Sequence, residues 1–339
     1  MEPTDPAEPS DLPDPPDPPL ELLDAQAVFD AEYDAGLSNH GPMALLALAR
    51  LGASEARLHA FAQTYARRLR PAPAAQRWPA GAAWAGRFGQ PQSWSMYRDL
   101  FQDWFLTEPA AVVLSQALPQ LMQGCGAAAF HGLIRTAYAV QARHRQELAD
   151  ALAYWACRWL DLGSAGAGGT DTSTTAEPET VLRRLRATPS DAGLIWQRMH
   201  HAAQDRHFQA TVMKLQVAPH TLPRLAALGA QAYAASGNFT ALHLVTSAHA
   251  LRLLMPYLDD EVSAVQSYWR AFAAAVCASG MRDGTAPAPR PWPDLVAAAL
   301  ASDDEHLIKL VYSCQEEHRA YGGAGPWQQA ATRGCEGQA

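Results

Sequence analysis

The stretch GAAAFHGLIRTAYAVQARHRQELADALAYWACRWLD, residues 126–161, decides the fold class. Its apolar residues recur at spacings of three and four, the period of an α-helix with one buried face. Nothing in it alternates as a half-buried strand would. The stretch reads as one long helix or a pair. The same pattern extends outward in both directions. Upstream, GPMALLALARLG puts Pro42 at a helix start and Gly52 at its stop. SEARLHAFAQTYARRLRP begins on Ser54 as an N-cap, with Pro71 beyond its end. MYRDLFQDWF and EPAAVVLSQALPQLMQGC continue the helical text. Downstream it resumes in VLRRLRA, DAGLIWQRMHHAAQ, HTLPRLAALGAQAYAAS, TALHLVTSAHALRLLMPYL, EVSAVQSYWRAFAAAVCAS and PDLVAAALAS. The expected fold class is all-α: a single multi-helix domain over residues 23–325, with about ten to twelve helices. Residues 1–22 open with MEPTDPAEPSDLPDPPDPP, which can bury little and is expected to be a disordered Pro/Asp-rich tail. LGSAGAGGTDTSTTAEPE, residues 162–179, is expected to be a flexible loop, and residues 326–339 a C-terminal tail.

Composition narrows the function classes. Hydrophobic residues make up 48% of the chain, enough for a large core, and the formal net charge is −8. No basic tract exists to neutralise phosphates, so nucleic acid is not an expected partner. No run of about 18 apolar residues appears, so no membrane span is expected. The acidic, proline-rich start lacks the basic and apolar regions of a secretory signal. Cys125, Cys157, Cys277, Cys314 and Cys335 are odd in number, scattered and without a CxxC pair. That argues against a disulfide framework or a thiolate zinc site, and for a reducing, cytoplasmic setting. Abundant Ala and Arg with almost no Lys or Ile points to a GC-rich bacterial genome. The clustered glycines of the 162–179 loop do not match GxGxxG and follow no strand, so a dinucleotide-binding reading fails its context.

Five histidines lie inside strongly apolar helical text: His40 in NHGPMALLAL, His131 in AAFHGLIRTAYAV, His243 and His249 in ALHLVTSAHALRLL, and His306 in HLIKLVYSC. By contrast His59, His144, His200, His201, His207 and His220 sit among polar neighbours and read as surface residues. A buried neutral imidazole needs two hydrogen-bond partners or a metal. Several in one core must not be protonated together, and a divalent metal resolves that. Imidazoles without thiolates suit iron, copper, nickel or zinc. His243 and His249 are six residues apart, about 120° around an ideal helix, so they share one ion only across a kink or from both edges of a stripe. His306 and Lys309 share a face, with Tyr312 next on the same ridge.

Lys309 stands out because Lys and Arg total 26 and only Lys214 and Lys309 are lysines. Burial near a metal would lower its pKa and favour the neutral amine. That amine can add carbon dioxide to become a carbamate, an anionic oxygen ligand. The plainer reading is a salt bridge from Lys309 to Glu305, one turn earlier. The segment RWPAGAAWAGRFGQPQSWSMYRDLFQDWF, residues 77–105, is rich in aromatics. It reads either as core packing or as a wall over a flat aromatic substrate, with Trp84, Trp94 and Tyr97 as contacts. Tyr138 and Tyr312 are further candidates for contacts to substrate or bound oxygen.

Four separated motifs in order, NHGPMALLALARLGAS, AAFHGLIRTAYAV, ALHLVTSAHALRLLMPYL and SDDEHLIKLVYSCQEEHRAYG, resemble the questin oxidase-like family over residues 30–322. The resemblance implies an oxidoreductase that opens the ring of an anthraquinone-type or other quinone substrate in a Baeyer–Villiger-like oxidation. It implies dioxygen as oxidant, NADPH as electron donor, and a non-haem iron held by histidines together with a carboxylated lysine. Carried onto this chain, the metal set is His40, His131, His243, His249 and Lys309. His306 would then hydrogen-bond a ligand or the substrate, as a catalytic group together with Tyr312, although the fourth histidine is either His306 or one of the pair at 243 and 249. Two other readings stay open: a metal-free NADPH-dependent oxidase using histidines as acid–base groups, and a non-catalytic helical binding protein.

Overall fold

The computed structural model describes residues 18–163, 176–188, 193–281, 284–322 and 325–337. Residues 1–17 of the tail expected at 1–22, and residues 164–175 of the loop expected at 162–179, lie outside these; residues 20–22 instead open the first helix, with Leu22 buried. In chain order the described helices are α1 (Leu20–Asp24), α2 (Gly41–Arg50), α3 (Glu55–Ala66), α4 (Trp94–Thr107), α5 (Ala110–Met122), α6 (His131–Gln141), α7 (Arg145–Arg158) and α8 (Pro178–Leu182). They continue with α9 (Ile195–Ala203), α10 (Arg206–Val212), α11 (Thr221–Ser236), α12 (Phe239–Leu254), α13 (Glu261–Ser279), α14 (Trp292–Ala301), α15 (Glu305–Tyr321) and α16 (Pro326–Glu336). The all-α expectation holds, with more helices than the ten to twelve expected, the short α1, α8 and α10 among them. The one small sheet is a hairpin, β1 (Glu32–Tyr33) against β2 (Leu37–Ser38), with Glu32 opposite Ser38.

Residues 126–161 prove to be a pair, α6 and α7, broken at Arg143, whose φ is +52°. His144, read as a surface residue, is instead buried and caps α7: its Nδ1 accepts from the Glu147 amide at 3.1 Å, and its Nε2 meets Asp24 at 3.0 Å. The expected tail at 326–339 also differs. Pro326 starts α16, which buries Trp327, Ala330 and Ala331 against α11 and α15. The spacing of those three residues is helical, and proline at the first turn helps to start the helix.

Helices α2, α6, α12 and α15 pack in a closed ring, each touching the next: α2 on α6, α6 on α12, α12 on α15, and α15 back on α2. All four contribute apolar residues to the buried core, among them Met43, Leu46, Ile134, Ala137, Ile308 and Val311. On the outside of this ring α6 lies against α7 at Gly132. A Cβ there would come within 2.7 Å of Trp155 Cγ and 2.8 Å of its Cα. Trp155 is fully buried and its backbone is fixed in α7, so neither can yield cheaply. Gly132→Ala is therefore expected to destabilise the fold by about 1–3 kcal/mol, read as a lower urea midpoint with unchanged slope.

Candidate active site

The start of each ring helix, or a position near it, carries a histidine. The hairpin turns the chain into α2, where His40 is the N-cap residue and its amide donates to the Tyr65 hydroxyl at 2.9 Å. Ser38 and Glu32 of the hairpin both bond the Tyr154 hydroxyl, at 2.7 and 3.0 Å, fixing the approach to His40 against α7. His131 is the first residue of α6. It follows three consecutive non-glycine residues with positive φ: Ala128 (+45°), Ala129 (+57°) and Phe130 (+69°). Left-handed backbone is costly for residues with a side chain, so such a run persists only where the surroundings enforce it. Its product is local: the Ala128 carbonyl turns back onto His131 Nδ1 at 2.5 Å. His243 sits in the first half of α12 and His306 in the first turn of α15, with Lys309 one turn further on.

The side chains converge. His40 Nε2 lies 2.7 Å from His131 Nε2. The His40 ring is 4.6 Å from His306, and His131 is 4.9 Å from His243, centroid to centroid. Glu305, buried and ion-paired to Arg68 at 2.9 Å, places an oxygen 3.5 Å from His40 Nδ1 and 3.7 Å from His306 Nδ1. One ligand atom each from His40, His306 and Glu305 lies within 4.8 Å of the others. Lys309 is 1% exposed. Among the described residues no ion pair joins it to Glu305, whose carboxylate turns to Arg68 instead. The plain salt-bridge reading of Lys309 is thereby corrected.

Electrostatics keep the cluster uncharged. Burial first, then the Lys309 ammonium and the neighbouring imidazoles, hold His40 well below its ordinary pKa. Burial, His243 and Lys309 do the same to His131. Burial, His306 and Lys309 bring His243 down to about 3. His306 is lowered too, chiefly by burial, against the pull of Asp304. Lys309, buried one turn after His306 on α15, lowers all four. Burial in turn lowers Lys309 to about 8, opposed by Glu305 and Asp304.

Neutral imidazoles carry one proton each, and the positions of those protons test whether a cation fits. His131 Nδ1 faces a carbonyl, and so does His243 Nδ1, at 2.8 Å from Phe239 O. Carbonyls only accept, so both Nδ1 atoms hold the proton and both Nε2 atoms present a lone pair. His40 Nε2 could donate to His131 Nε2, but then its Nδ1 lone pair would face the Glu305 carboxylate. With the opposite tautomer, two lone pairs would meet at 2.7 Å. His40 Nδ1 is in fact buried with no hydrogen-bond partner. A cation between the His40 and His131 Nε2 atoms removes the conflict: both lone pairs then face a positive charge, and His40 keeps its proton on Nδ1, on the side of the Glu305 carboxylate. The residues present fit a metal ion with imidazole ligands.

The cluster opens on a cavity of about 440 Å³ walled by Tyr33, Leu37, Leu194, Ile195, Trp196 and Phe239, with Arg198 on its lining. Phe239 stands edge-on to His243 at 5.0 Å and to His306 at 4.8 Å.

Three groups of expected site residues fall elsewhere. His249 is fully buried, but α12 is continuous from Phe239 to Leu254 and turns it away from His243. Its Nδ1 meets Glu317 at 2.7 Å, and Arg252 pairs with the same carboxylate. His306 occupies the place in the cluster that was assigned to His249. Tyr312 and Tyr138 flank His249 at 5.5 and 6.0 Å, with hydroxyls bonded to Gln141 and Ser313, away from the cavity. Trp84 and Tyr97 belong to a packed aromatic cluster with Phe88, Phe101 and Trp104. Trp94 stacks under Arg98. Density of aromatics signalled core in residues 77–105, not a substrate wall. The walls that do line the cavity, Tyr33, Trp196 and Phe239, stand singly in the sequence. Phe239 had a signal, four residues before His243 on the same face. Glu305 had one as well, beside His306, but was taken for the partner of Lys309.

Fold and site together define an all-helical protein with an enclosed imidazole cluster opening on an apolar, aromatic-walled cavity. The model of the questin oxidase-like family matches residues 37–314, which take in all four clustered histidines and Lys309. The chain belongs to the questin oxidase-like family, which places it among the oxidoreductases acting on a small molecule. No curated protein matches the chain. Among the described residues no helix is long and apolar enough to cross a membrane.

Proposed function

We propose that this protein is a non-haem iron oxygenase that uses dioxygen to oxidise, or open the ring of, a polycyclic aromatic or quinone substrate. The observation that carries the reading is the nitrogen conflict between His40 and His131, inside a neutral four-imidazole cluster, with the buried Lys309 one turn after His306 on α15. His40, His131, His243 and His306 would hold the ion. Glu305 stands behind His40 and His306 and fixes their tautomers, the usual task of a carboxylate behind a ligating imidazole. Iron held there would supply the one-electron chemistry by which dioxygen reacts with a closed-shell organic molecule.

The remaining parts are the chain's own. Lys309, at a pKa of about 8, is roughly one-tenth neutral amine at pH 7. That amine adds carbon dioxide: a nitrogen–carbon bond forms, the nitrogen loses a proton, and the product is a carbamate anion on a long stem. Arginine cannot take this step, which accounts for a buried lysine at 309 in a chain whose cations are arginines apart from Lys214. Tyr33, Trp196 and Phe239 offer flat or edge contacts to a fused ring, and Leu194 and Ile195 exclude water. Insertion of one oxygen atom would draw two electrons from an outside donor, NADPH in this reading, and insertion of both would draw none. NADPH oxidised per dioxygen consumed separates the two stoichiometries.

Elemental analysis of protein purified without oxygen, beside Lys309→Ala, tests the reading. Near-stoichiometric iron is expected in the parent, with at least a tenfold loss in the variant. Metal in neither protein, with lower stability in the variant, would reduce the cluster to packing and refute the oxygenase.

A further inference from the structure

Arg198 is the cavity residue that the reading above leaves without a task. It lies on α9, four residues after Leu194 and three after Ile195, so the three share the face that lines the cavity. It is half-buried, and its Nε is enclosed with no hydrogen-bond partner. Among the described residues no carboxylate pairs with it, whereas the buried Arg135 and even the exposed Arg68 are ion-paired. The carboxylate on the same lining, Glu305, is already engaged by Arg68. A guanidinium keeps its charge at any relevant pH, and a donor enclosed without a partner is costly, so such a group is normally matched by an anionic oxygen. Opposite it the imidazoles are neutral, and the walls between are apolar and aromatic. The cavity therefore carries one unmatched positive charge at a fixed place on a greasy wall.

We propose that Arg198 is the anchor for an anionic oxygen of the substrate, so that the cavity selects a fused aromatic carrying a carboxylate or an ionised hydroxyquinone. This rests on the cavity being the substrate site. Arg198 acts as a specificity residue: its planar pair of N–H donors sets the oxygen, and hence the ring, in one orientation relative to the histidines.

Two anionic probes and their neutral methyl derivatives test it by calorimetric titration of the protein as purified. They are 2-naphthoate with methyl 2-naphthoate, and 2-hydroxy-1,4-naphthoquinone with its methyl ether. The parent is expected to bind at least one anion roughly tenfold or more tighter than its methyl derivative. Tight binding of the first alone names a carboxylate, and of the second alone an enolate. Arg198→Gln is expected to erase the preference while leaving the neutral derivatives bound as before. No preference in the parent, no binding of any probe, or a preference that survives in Arg198→Gln overturns the proposal. The same titrations on His131→Ala separate the two readings. A preference retained there assigns the anion to Arg198 whatever the metal content. One lost there but kept in Arg198→Gln assigns it to a metal and sinks the proposal.

Discussion

His131→Ala protein is expected to fold, to hold at most roughly a tenth of the parent's iron, and to consume no dioxygen with quinone substrates. Two features make this the largest functional effect available from one substitution. His131 is the residue whose Nε2 meets His40, so its loss removes one of the two nitrogens that stand closest together where a cation fits. Its Nδ1 proton is committed to Ala128, so no other tautomer or neighbour takes over the role. Its ring packs against His40 and His243 as well as bonding Ala128, so stability is expected to fall by about 1–3 kcal/mol, read as a lower urea midpoint, while the fold is kept, and iron content is read beside it. Circular dichroism and the urea midpoint report the fold, and elemental analysis reports the site. Retention of iron at the parent level would place the metal elsewhere.

The largest effect on stability is expected from Glu147→Ala. Arg135 Nε and Nη2 donate to the two Glu147 oxygens at 2.6 and 2.8 Å, with the residues 2% and 3% exposed. The pair clamps α6 to α7, one turn beyond His131. Removing the carboxylate leaves a guanidinium that cannot shed its proton and has no route to water, at a cost of about 3–5 kcal/mol. Asp150 lies close enough to help hold Arg135 charged, but burial pushes its own carboxyl up to about 6, and its nearest cation is Arg98 at 2.6 Å. It compensates weakly. The double variant Arg135→Met with Glu147→Leu removes both charges and is expected to recover most of the loss. Guanidinium unfolding of the three proteins gives the comparison. A single variant within about 1 kcal/mol of the parent would mean that water reaches the pair.

Much of the fold was legible because local pattern carries it. Caps and stops did their work at Ser54, Pro42 and Gly52, and the period of 126–161 gave α6 and α7. What escaped depended on contacts across the chain. Glu305 has Lys309 one turn away and yet pairs with Arg68, 237 residues distant. His40, His131, His243 and Lys309 were recognisable as imidazoles and an amine in apolar text. The choice between His249 and His306 was also readable in principle. On a straight helix six residues place His249 about 120° from His243, whereas His306 and Lys309 share a ridge. The cavity walls were not readable. Tyr33, Trp196 and Phe239 come from a hairpin and two helices, and only folding brings them to one mouth.

That wide spacing of the cluster along the chain has a further consequence, for the order in which the protein matures. His40, His131 and His243 can be in place while synthesis continues, but His306 and Lys309 arrive only with α15. Until that helix closes the ring, a nascent chain offers three of the four clustered imidazoles and lacks Lys309. On the proposed reading, metal binding and carbamate formation would therefore fall to the finished protein and not to the growing one.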